Sequence, residues 1–373
     1  MVDRDRMMAE FVELAQIDSL SKHESAMAEA VMAKLRALGL GASTDGAGEA
    51  LGGDVGNVIS HVPATADGLP CLMLNAHLDT VKPGTGIEPV VEGDRIRSAG
   101  DTIVAADDKC GVAVMMEALR SVIEEGLPHG GLDLVFTVAE EIGLHGAKHL
   151  DYSRLTAQMA YVLDGGEEAG CITRAAPYAN SVNFTVRGKA AHAGVCPERG
   201  VSAIQVAARG VACMTLGRID EETTANVGVI EGGEASNIVA ARCFLDGEAR
   251  SHDEAKLRAQ TDHMVRCMRE AAEGTGAQVE IDLQRSYNGF RLEAEDPVVA
   301  LALAAAANLG VEPRLHIGGG GSDANVFNER GIPAVILATG AAEVHTSNEH
   351  ASIPTMLHCA RWLVEIVRRL PGA

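Results

Sequence analysis

Short motifs that carry histidine and carboxylate side chains stand out along this chain of 373 residues. The motif LMLNAHLDTV places His77 and Asp79 directly after an apolar run that predicts a strand. In open α/β sheets, ligands and catalytic groups lie at the carboxyl ends of strands, so this position favours chemistry. The His-x-Asp spacing suits a metal ligand, because a neighbouring carboxylate holds the imidazole in one tautomer. Taken alone, a histidine here is more often a capped loop residue.

Two acidic pairs begin or end predicted elements. Asp107 and Asp108 lie in VAADDKCGVAV, at the start of a predicted helix. Aspartate is favoured as an N-cap and near the positive end of the helix dipole, so capping explains this pair without a metal. Glu140 and Glu141 end the buried strand LVFTVAEEIG. Because two adjacent carboxylates are costly to bury unpaired, they are either exposed at a helix start or a general base beside a metal ligand.

Two further motifs complete the set. Asp164 ends the strand in YVLDGG, and His345 follows the last predicted strand in ATGAAEVHTSNEH. The combined set has imidazole and carboxylate donors without thiolate, which suits Zn²⁺ or Co²⁺ in a hydrolytic site. Five ligands and a spare glutamate exceed the needs of one tetrahedral ion and suit two ions about 3.5–4 Å apart. We therefore expect two Zn²⁺ ions per chain, with Co²⁺ or Mn²⁺ as alternatives.

The order of the predicted elements indicates one domain inserted into another. Strands alternate with helices up to residue 177 and again from residue 290, which predicts an α/β domain with a largely parallel sheet over 1–177 and 290–373. Between them, residues 178–289 show the order β-α-β-β-α-β of a ferredoxin-like α+β domain. Apolar spacing predicts the main helices at 4–17, 24–38, 109–125, 201–216, 252–273, 296–309 and 354–370.

Composition excludes several classes of partner. The chain has 31 Lys and Arg against 52 Asp and Glu, a net charge of −21, and only 6 Phe, 1 Trp and 4 Tyr. A phosphate backbone would be repelled, and base stacking would lack aromatic faces, so we expect no nucleic-acid partner.

The charged N-terminus is unlike a signal peptide, and no window of 18 apolar residues occurs, so we expect a cytoplasmic protein without membrane contact. The 8 cysteines form no CxxC pair and are expected to be reduced.

Beyond the single motifs, the sequence resembles the di-zinc metallopeptidases that include peptidase T, carboxypeptidase G, succinyl-diaminopimelate desuccinylase and the aminoacylases. The resemblance runs from IDSLSKHE at 17–24 to HTSNEHASI at 345–353. Its motifs occur in family order: HLDTV, ADDKCG, AEEIGLHGAKHL, LDGG, GKAAHAG, EGGEASNIV and GGGGSDANVF. The phrase GDTIVAADDKCG is closest to the peptidase T-like branch. The implied fold is a zinc-peptidase α/β/α catalytic domain with an inserted lid or dimerisation domain.

The resemblance also implies a role for each motif residue. In that family pattern, His77 and Asp164 bind one zinc ion, Glu141 and His345 bind the other, and Asp107 bridges the two. Glu140 is the general base, and Asp79 orients His77. It further implies a cis peptide bond between Asp107 and Asp108.

Residues outside the metal motifs are assigned to the substrate. The resemblance implies that His192 in GKAAHAG stabilises the oxyanion, commonly in the active site of the other subunit of a homodimer. Asn237 and Arg250 match positions that approach the substrate in relatives, although an arginine on a strand is as often part of a surface ion pair. The glycine run that includes Gly320, with Ser322 after it, precedes a short helix. Its amides either bind a substrate carboxylate or form a tight turn.

These expectations lead to metal-assisted hydrolysis of amide bonds in small peptides, with a tripeptide aminopeptidase as the favoured activity. An N-acyl amino acid deacylase or a carboxypeptidase on the same scaffold is the alternative within enzymes. A catalytically inactive metal-binding scaffold is the alternative outside them. The intact ligand set and Glu140 argue against the inactive scaffold.

Overall fold

The computed structural model describes residues 1–370. The chain forms two compact units, Met1–Ala176 together with the segment from Arg291 onward, and Pro177–Phe290. The larger unit is therefore built from two stretches of sequence that flank the smaller one. Whether the smaller unit serves as a lid or a dimerisation surface stays a prediction.

Ten α-helices lie within residues 1–370. They are α1 (Arg4–Ala15), α2 (Ser25–Ala37), α3 (Ala47–Leu51), α4 (Ala106–Glu125), α5 (His145–Lys148), α6 (Ala203–Cys213), α7 (Glu254–Ala272), α8 (Pro297–Asn308), α9 (Asp323–Glu329) and α10 (Ile353–Arg369).

The strands of the same residues number eighteen. They are β1 (Ala42–Thr44), β2 (Val58–Val62), β3 (Leu72–His77), β4 (Pro89–Glu92), β5 (Arg95–Ser98), β6 (Leu132–Thr137), β7 (Met159–Gly165), β8 (Cys171–Ala176), β9 (Tyr178–Arg187), β10 (Gly217–Arg218), β11 (Thr223–Gly232), β12 (Arg242–Ser251), β13 (Gln278–Tyr287), β14 (Phe290–Arg291), β15 (Arg314–Ile317), β16 (Ala334–Ala338), β17 (Ala341–Ala342) and β18 (His350–Ser352).

The central sheet of the larger unit is mixed. Its strand order is β1-β2-β6-β3-β7-β16-β8-β14, with β15 paired to β8. The four strands β6, β3, β7 and β16 are parallel, whereas β1, β2 and β8 pair antiparallel with their neighbours on the path. The predicted parallel sheet is thus confirmed for the centre only. Every residue of β3 and β6 is buried, because helices cover both faces of a parallel sheet.

The helices that cover this sheet form one apolar core with it. Helix α4 packs on β3 and β7 and also contacts α1 and α10. Among the few aromatic residues, Phe11, Tyr161 and Trp362 are fully buried in this core. The Tyr161 hydroxyl donates to the carbonyl of Val298 at 3.0 Å. The Trp362 indole donates to that of Ala302 at 2.9 Å, so both buried polar groups are satisfied.

The smaller unit has a fully antiparallel sheet in the order β10-β11-β12-β9-β13. Its main elements run β9-α6-β11-β12-α7-β13, which is the ferredoxin-like order expected from the sequence. Residues of β9 alternate between buried and partly exposed positions, because the helices cover a single face of this sheet.

The cysteines depart from expectation at one pair. Cys213 at the end of α6 and Cys267 in α7 form a disulfide with their Cα atoms 5.6 Å apart. The expectation of eight reduced thiols is therefore wrong for these two residues, which sequence spacing could not bring together because 54 positions separate them. Among residues 1–370, no helix is both long and apolar enough to cross a membrane.

Candidate active site

The parallel centre of the sheet brings three of the sequence motifs to one edge. His77 is the last residue of β3, and Asp164 is the sixth residue of β7. Glu140 and Glu141 follow the end of β6, which lies beside β3. Because the carboxyl ends of parallel strands meet at the same edge, residues far apart in sequence become neighbours.

Asp107 lies between the two histidines of the set. One carboxylate oxygen is 2.9 Å from Nε2 of His77, and the other is 3.2 Å from Nε2 of His345. Asp107 enters helix α4 with non-helical backbone angles, and the peptide bond to Asp108 is cis, as the resemblance implies. Asp107 therefore belongs to both donor groups described next.

Two groups of donor atoms share Asp107. The first consists of His77, Asp107 and Asp164, and the second of Asp107, Glu141 and His345. Within each group the donor atoms lie within 4.8 Å of one another. His345 is carried by the loop between β17 and β18, and its Nε2 is 3.0 Å from Glu141 Oε1. The five predicted ligands therefore converge in space.

Asp79 fixes the residues around it. One of its oxygens accepts the Glu140 amide at 2.9 Å, and the other accepts the Glu141 amide at 3.2 Å. Nδ1 of His77 is 2.9 Å from the backbone carbonyl of Asp79 and 3.4 Å from the first oxygen of its carboxylate. The Ser21 hydroxyl donates to the second oxygen at 2.6 Å. Asp79 thus orients the imidazole and the backbone of both glutamates, although the resemblance assigned it only the first of these tasks.

Two buried carboxylates support the site in ways that the sequence did not show, since Glu349 was not singled out and Asp108 was interpreted only as a helix cap. Glu349 accepts the amide of Asp107 at 3.0 Å with one oxygen and those of Val104 and Ala105 at 3.1 and 3.3 Å with the other. Asp108 accepts the amide of His77 at 3.1 Å. Glu349 lies inside the motif HTSNEHASI, but a contact over 242 positions leaves no local signal.

Asp323 is a third such residue. It is buried at the start of α9, directly after Ser322, and its carboxylate accepts a hydrogen bond from the Thr137 hydroxyl of β6. Burial raises the pKa of Asp323 to about 6. The motif GGGGSDANVF contained it, yet the expectation for that motif rested on the glycines and the serine.

The electrostatics of the cluster show crowded negative charge. Burial raises the pKa values of Glu140 and Asp164 well above the ordinary range, and the charge of Asp107 adds to the shift of Asp164. Hydrogen bonds to Asp107 and Glu141 raise the pKa of His345 to about 10. Burial opposes protonation of His77, but its bonds to Asp107 and Asp79 still raise its pKa. Protons stay on such a cluster because the carboxylates repel one another.

This donor set fits divalent metal ions. Imidazole and carboxylate oxygens without thiolate are ligands for zinc and its neighbours in hydrolytic sites. The crowded carboxylates supply the negative charge that cations would neutralise. Nothing in the two donor groups conflicts with the predicted pair of ions.

A cavity of about 460 Å³ opens beside the cluster. Gly318, Gly320 and Ser322 form one wall, so the predicted glycine run does reach the site. The Ser322 hydroxyl, however, accepts the amide of Ala324 as the N-cap of α9. The lining includes six carboxylates and neither lysine nor arginine: Asp107, Glu140, Glu141, Asp164, Glu167 and Glu168. The cavity is therefore suited to a cationic group of a ligand.

The remaining predicted site residues belong to the smaller unit. His192 pairs with Ile238 in an isolated bridge, and the carbonyl of Asn237 accepts the amide of Ala193 at 2.9 Å. His192 and Asn237 are thus neighbours on two exposed segments. Arg250 on β12 makes two hydrogen bonds to Glu248, at 2.8 and 3.0 Å. The structure therefore gives Arg250 the ion pair that the sequence left open, and its contact with a substrate stays a prediction.

Fold and site together define a peptidase of the family M20/M25/M40. The profile of that family matches residues 73–369, and the chain belongs to it. Within the family it falls in the peptidase T-like branch, so the resemblance read from the motifs is confirmed. The chain is accordingly a hydrolase of peptide bonds, with the mixed α/β architecture of this family.

Individual relatives agree with this assignment. The uncharacterized protein YqjE of Bacillus subtilis is 42% identical over 367 residues, 98% of this chain and 99% of the relative. Peptidase T of Brevibacillus brevis is 26% identical over 406 residues, 96% and 97% of the two chains. The crystal structure of aminopeptidase PepT from Bacillus cereus matches with a TM-score of 0.88 and 42% identity. The crystal structure of a tripeptidase from Staphylococcus aureus matches with a TM-score of 0.93 and 38% identity. Each of these two matches covers 100% of this chain and 100% of the other chain.

Proposed function

We propose that this peptidase is a tripeptide aminopeptidase that uses two divalent metal ions, Zn²⁺ in preference to Co²⁺ or Mn²⁺. The observation that carries the proposal is the pair of donor groups that share Asp107 at the wall of an acidic cavity. The similarity to an aminopeptidase and to a tripeptidase supports the choice of substrate.

The ions would be held by the residues that converge at the sheet edge. His77 and Asp164 would bind one, Glu141 and His345 the other, and Asp107 both. When bound, the ions would make a water molecule acidic enough to attack near neutral pH and would polarise the substrate carbonyl. Asp79 would hold the His77 ring, and Glu349 would hold the backbone of Asp107, so both ligands are positioned before an ion arrives.

Glu140 would transfer the protons of the reaction. It lines the cavity but belongs to neither donor group, and Asp79 holds its backbone amide. Glu140 would take a proton from the attacking water as the carbon–oxygen bond forms. It would return that proton to the amide nitrogen as the carbon–nitrogen bond breaks, so that an amine leaves. His192 would stabilise the oxyanion, which is the role the resemblance assigns to it.

The charge of the cavity favours an aminopeptidase over a carboxypeptidase. Glu167 and Glu168 extend the acidic lining beyond the donor groups, although Glu168 is also 3.2 Å from Arg314 and Glu167 3.3 Å from His350. A peptide amino terminus is an ammonium ion, which such a wall attracts, whereas a peptide carboxylate would be repelled. Asn237, Arg250, Gly320 and Ser322 remain the candidates for contacts with the rest of the peptide, in a homodimer formed through the smaller unit.

The test is a substrate panel combined with metal analysis of the same preparation. Purified protein loaded with Zn²⁺ is assayed on Ala-Ala-Ala, N-acetyl-Ala-Ala-Ala, N-acetyl amino acids and folyl-glutamate. We expect turnover of the free tripeptide only, and about two metal equivalents that fall in His77→Ala and Asp164→Ala. Preferred cleavage of the acetylated substrates would favour a deacylase, and release of glutamate a carboxypeptidase. No hydrolysis in metal-loaded protein would favour the inactive scaffold.

A further inference from the structure

A third group of possible metal ligands lies at the opposite edge of the central sheet. It consists of His61 on β2, Cys71 just before β3 and Asp133 on β6. His61 and Asp133 are directly opposed in the β2–β6 pairing. Asp133 precedes Thr137, the β6 partner of His77, by a distance of about 13 Å along the strand. The group is therefore separate from the candidate active site.

The three side chains are close together, and two of them are buried. Nδ1 of His61 is 2.7 Å from Oδ1 of Asp133, and the donor atoms of all three residues lie within 4.8 Å of one another. Asp133 is 1% exposed and Cys71 5%, while the His61 side chain is 45% exposed. The group thus has a buried floor and a side open to solvent through which an ion could enter.

The local structure holds the two buried donors in place. The second oxygen of Asp133 accepts the amides of Thr156 and Ala157 at 2.6 and 2.8 Å, which leaves the first oxygen directed at His61. The Thr156 hydroxyl is 3.3 Å from the sulfur of Cys71. A Cβ atom on Gly131 would lie 3.3 Å from that sulfur and 3.4 Å from Cε1 of His61. A larger residue than glycine would therefore crowd both donors.

We propose that His61, Cys71 and Asp133 bind one thiophilic divalent ion of the Zn²⁺ class, with a fourth position open to solvent. Tetrahedral zinc with bonds of about 2.0–2.3 Å needs donors roughly 3.3–3.8 Å apart. All three donors lie within 4.8 Å of one another, and the His61 and Asp133 atoms, now 2.7 Å apart, would have to separate slightly to bind the same ion. The ion would replace the Cys71 thiol proton, and the His61 Nδ1 proton that faces Asp133 would be released from an imidazolium or would move to Nε2 of a neutral ring, so that Nδ1 is free to bind. The two negative charges of the thiolate and the carboxylate balance the charge of the divalent ion, and the imidazole is neutral. The bound complex therefore has no net charge to bury.

Two simpler interpretations, an ion pair or a reactive thiol, explain the arrangement of these three side chains less completely than a bound ion does. A hydrogen-bonded His61–Asp133 pair is consistent with the 2.7 Å contact. It leaves the Cys71 sulfur, however, with two weak contacts, the Thr156 hydroxyl at 3.3 Å and the Leu72 carbonyl at 3.8 Å. A reactive thiol is disfavoured because burial raises the pKa of Cys71 to about 11, and the thiolate is the nucleophilic form. A bound ion gives all three side chains a role.

Cobalt spectroscopy separates this site from the active site. Cobalt bound to a thiolate gives a sulfur-to-metal charge-transfer absorption in the near ultraviolet, whereas the donor groups around Asp107 contain no sulfur. Metal-free full-length protein is titrated with Co²⁺ as wild type, Cys71→Ser, His61→Gln and Cys171→Ser. Cys171 is the matched control because it lines the active-site cavity. The readout is independent of peptidase activity, so it remains valid if the proposed function fails.

We expect the absorption in the wild type and in Cys171→Ser, and its loss in Cys71→Ser. His61→Gln changes an accessible side chain and should weaken the cobalt affinity read from this band at least tenfold, since even residues that only orient a ligand are worth about 10–100-fold. Absence of the band in wild-type protein saturated with Co²⁺ would overturn the proposal, and so would its persistence in Cys71→Ser. An unchanged cobalt affinity in His61→Gln would show that His61 is not a ligand, and the proposed three-residue site would then be wrong.

Discussion

The two sheets of this protein differ in how they hold their candidate site residues. In the larger unit, the residues at the strand ends are buried and tied by backbone amides, as Asp79 is to Glu140 and Glu141. In the smaller unit, the sheet has one covered face, and His192 and Asn237 are exposed. Buried polar groups must be hydrogen-bonded, whereas exposed ones are served by water.

The two units are therefore expected to contribute in different ways. Residues of the larger unit are held in place without a substrate, which suits ligands and a proton carrier. His192 and Asn237 of the smaller unit are exposed, which suits groups that act only once a substrate is present, whereas Arg250 is already paired with Glu248. Substitution of the buried donors or of Glu140 in the larger unit should affect metal content or proton transfer, and substitution of His192 in the smaller unit should affect the transition state alone.

The largest effect is expected for Glu140→Gln. Removal of a general acid–base group typically costs about 10²–10⁴ in rate, so kcat should fall by that factor while two metal equivalents remain. The matched variant is Glu141→Gln, one position away, which should instead lower metal content. Steady-state kinetics and metal analysis of both proteins check this pair. A wild-type kcat in Glu140→Gln would show that the base is another residue.

His192→Ala should come next. Loss of one oxyanion donor costs about 10²–10³ in kcat, and we expect that loss with unchanged metal content and little change in KM. Mixing inactive His192→Ala with inactive Glu140→Gln should restore some activity if the donor acts across a homodimer. A wild-type kcat in His192→Ala would show that His192 is a surface histidine without a role in the reaction. The smaller unit would then have no demonstrated effect on the transition state.

Glu349→Gln should have an intermediate effect that falls on metal affinity. The NH₂ group of the new side chain cannot accept hydrogen bonds, so either the Asp107 amide or those of Val104 and Ala105 lose their acceptor. Loss of a residue that only positions a ligand typically lowers metal affinity about 10–100-fold, and we expect a decrease of that size here. The kcat measured at saturating metal should change less. Competition with a chelating dye measures the affinity. Glu343→Gln, exposed on the same loop, is the control and should bind metal as the wild type does.

The smallest effects concern matching helix caps in the two units. Ser322 caps α9 and Ser202 caps α6, each through its side-chain oxygen. Either change to alanine should lower the free energy of unfolding by about 1 kcal/mol, measured by urea denaturation. Ser322 also lines the cavity, so its variant should raise KM a few-fold, whereas Ser202→Ala should leave kinetics unchanged. Equal kinetics in the two variants would exclude Ser322 from the substrate site.

Much of the fold followed from apolar periodicity. The predicted final helix at 354–370 corresponds to α10, and the order β-α-β-β-α-β was found in the smaller unit. The edge strand β1 was missed because none of its residues is buried, so it carries little apolar signal. The internal strand β8 was missed as well, although three of its six residues are buried. The antiparallel pairing of β2 was missed for a different reason, since strand direction in a sheet depends on connections rather than on local residues.

The sequence by itself determined which chemistry is available. His77, Glu140, Glu141 and Asp164 were identifiable because polar residues at the ends of apolar strands are costly unless they have a use. Asp107 and His345 were identifiable because their motifs complete the donor set and resemble those of the family. Only the tertiary structure decided how these residues meet. The sharing of Asp107 between two donor groups, the support from Glu349 and the group around Cys71 all depend on contacts between distant segments. Such contacts arise because sheet pairing and burial, not local spacing, set which side chains become neighbours.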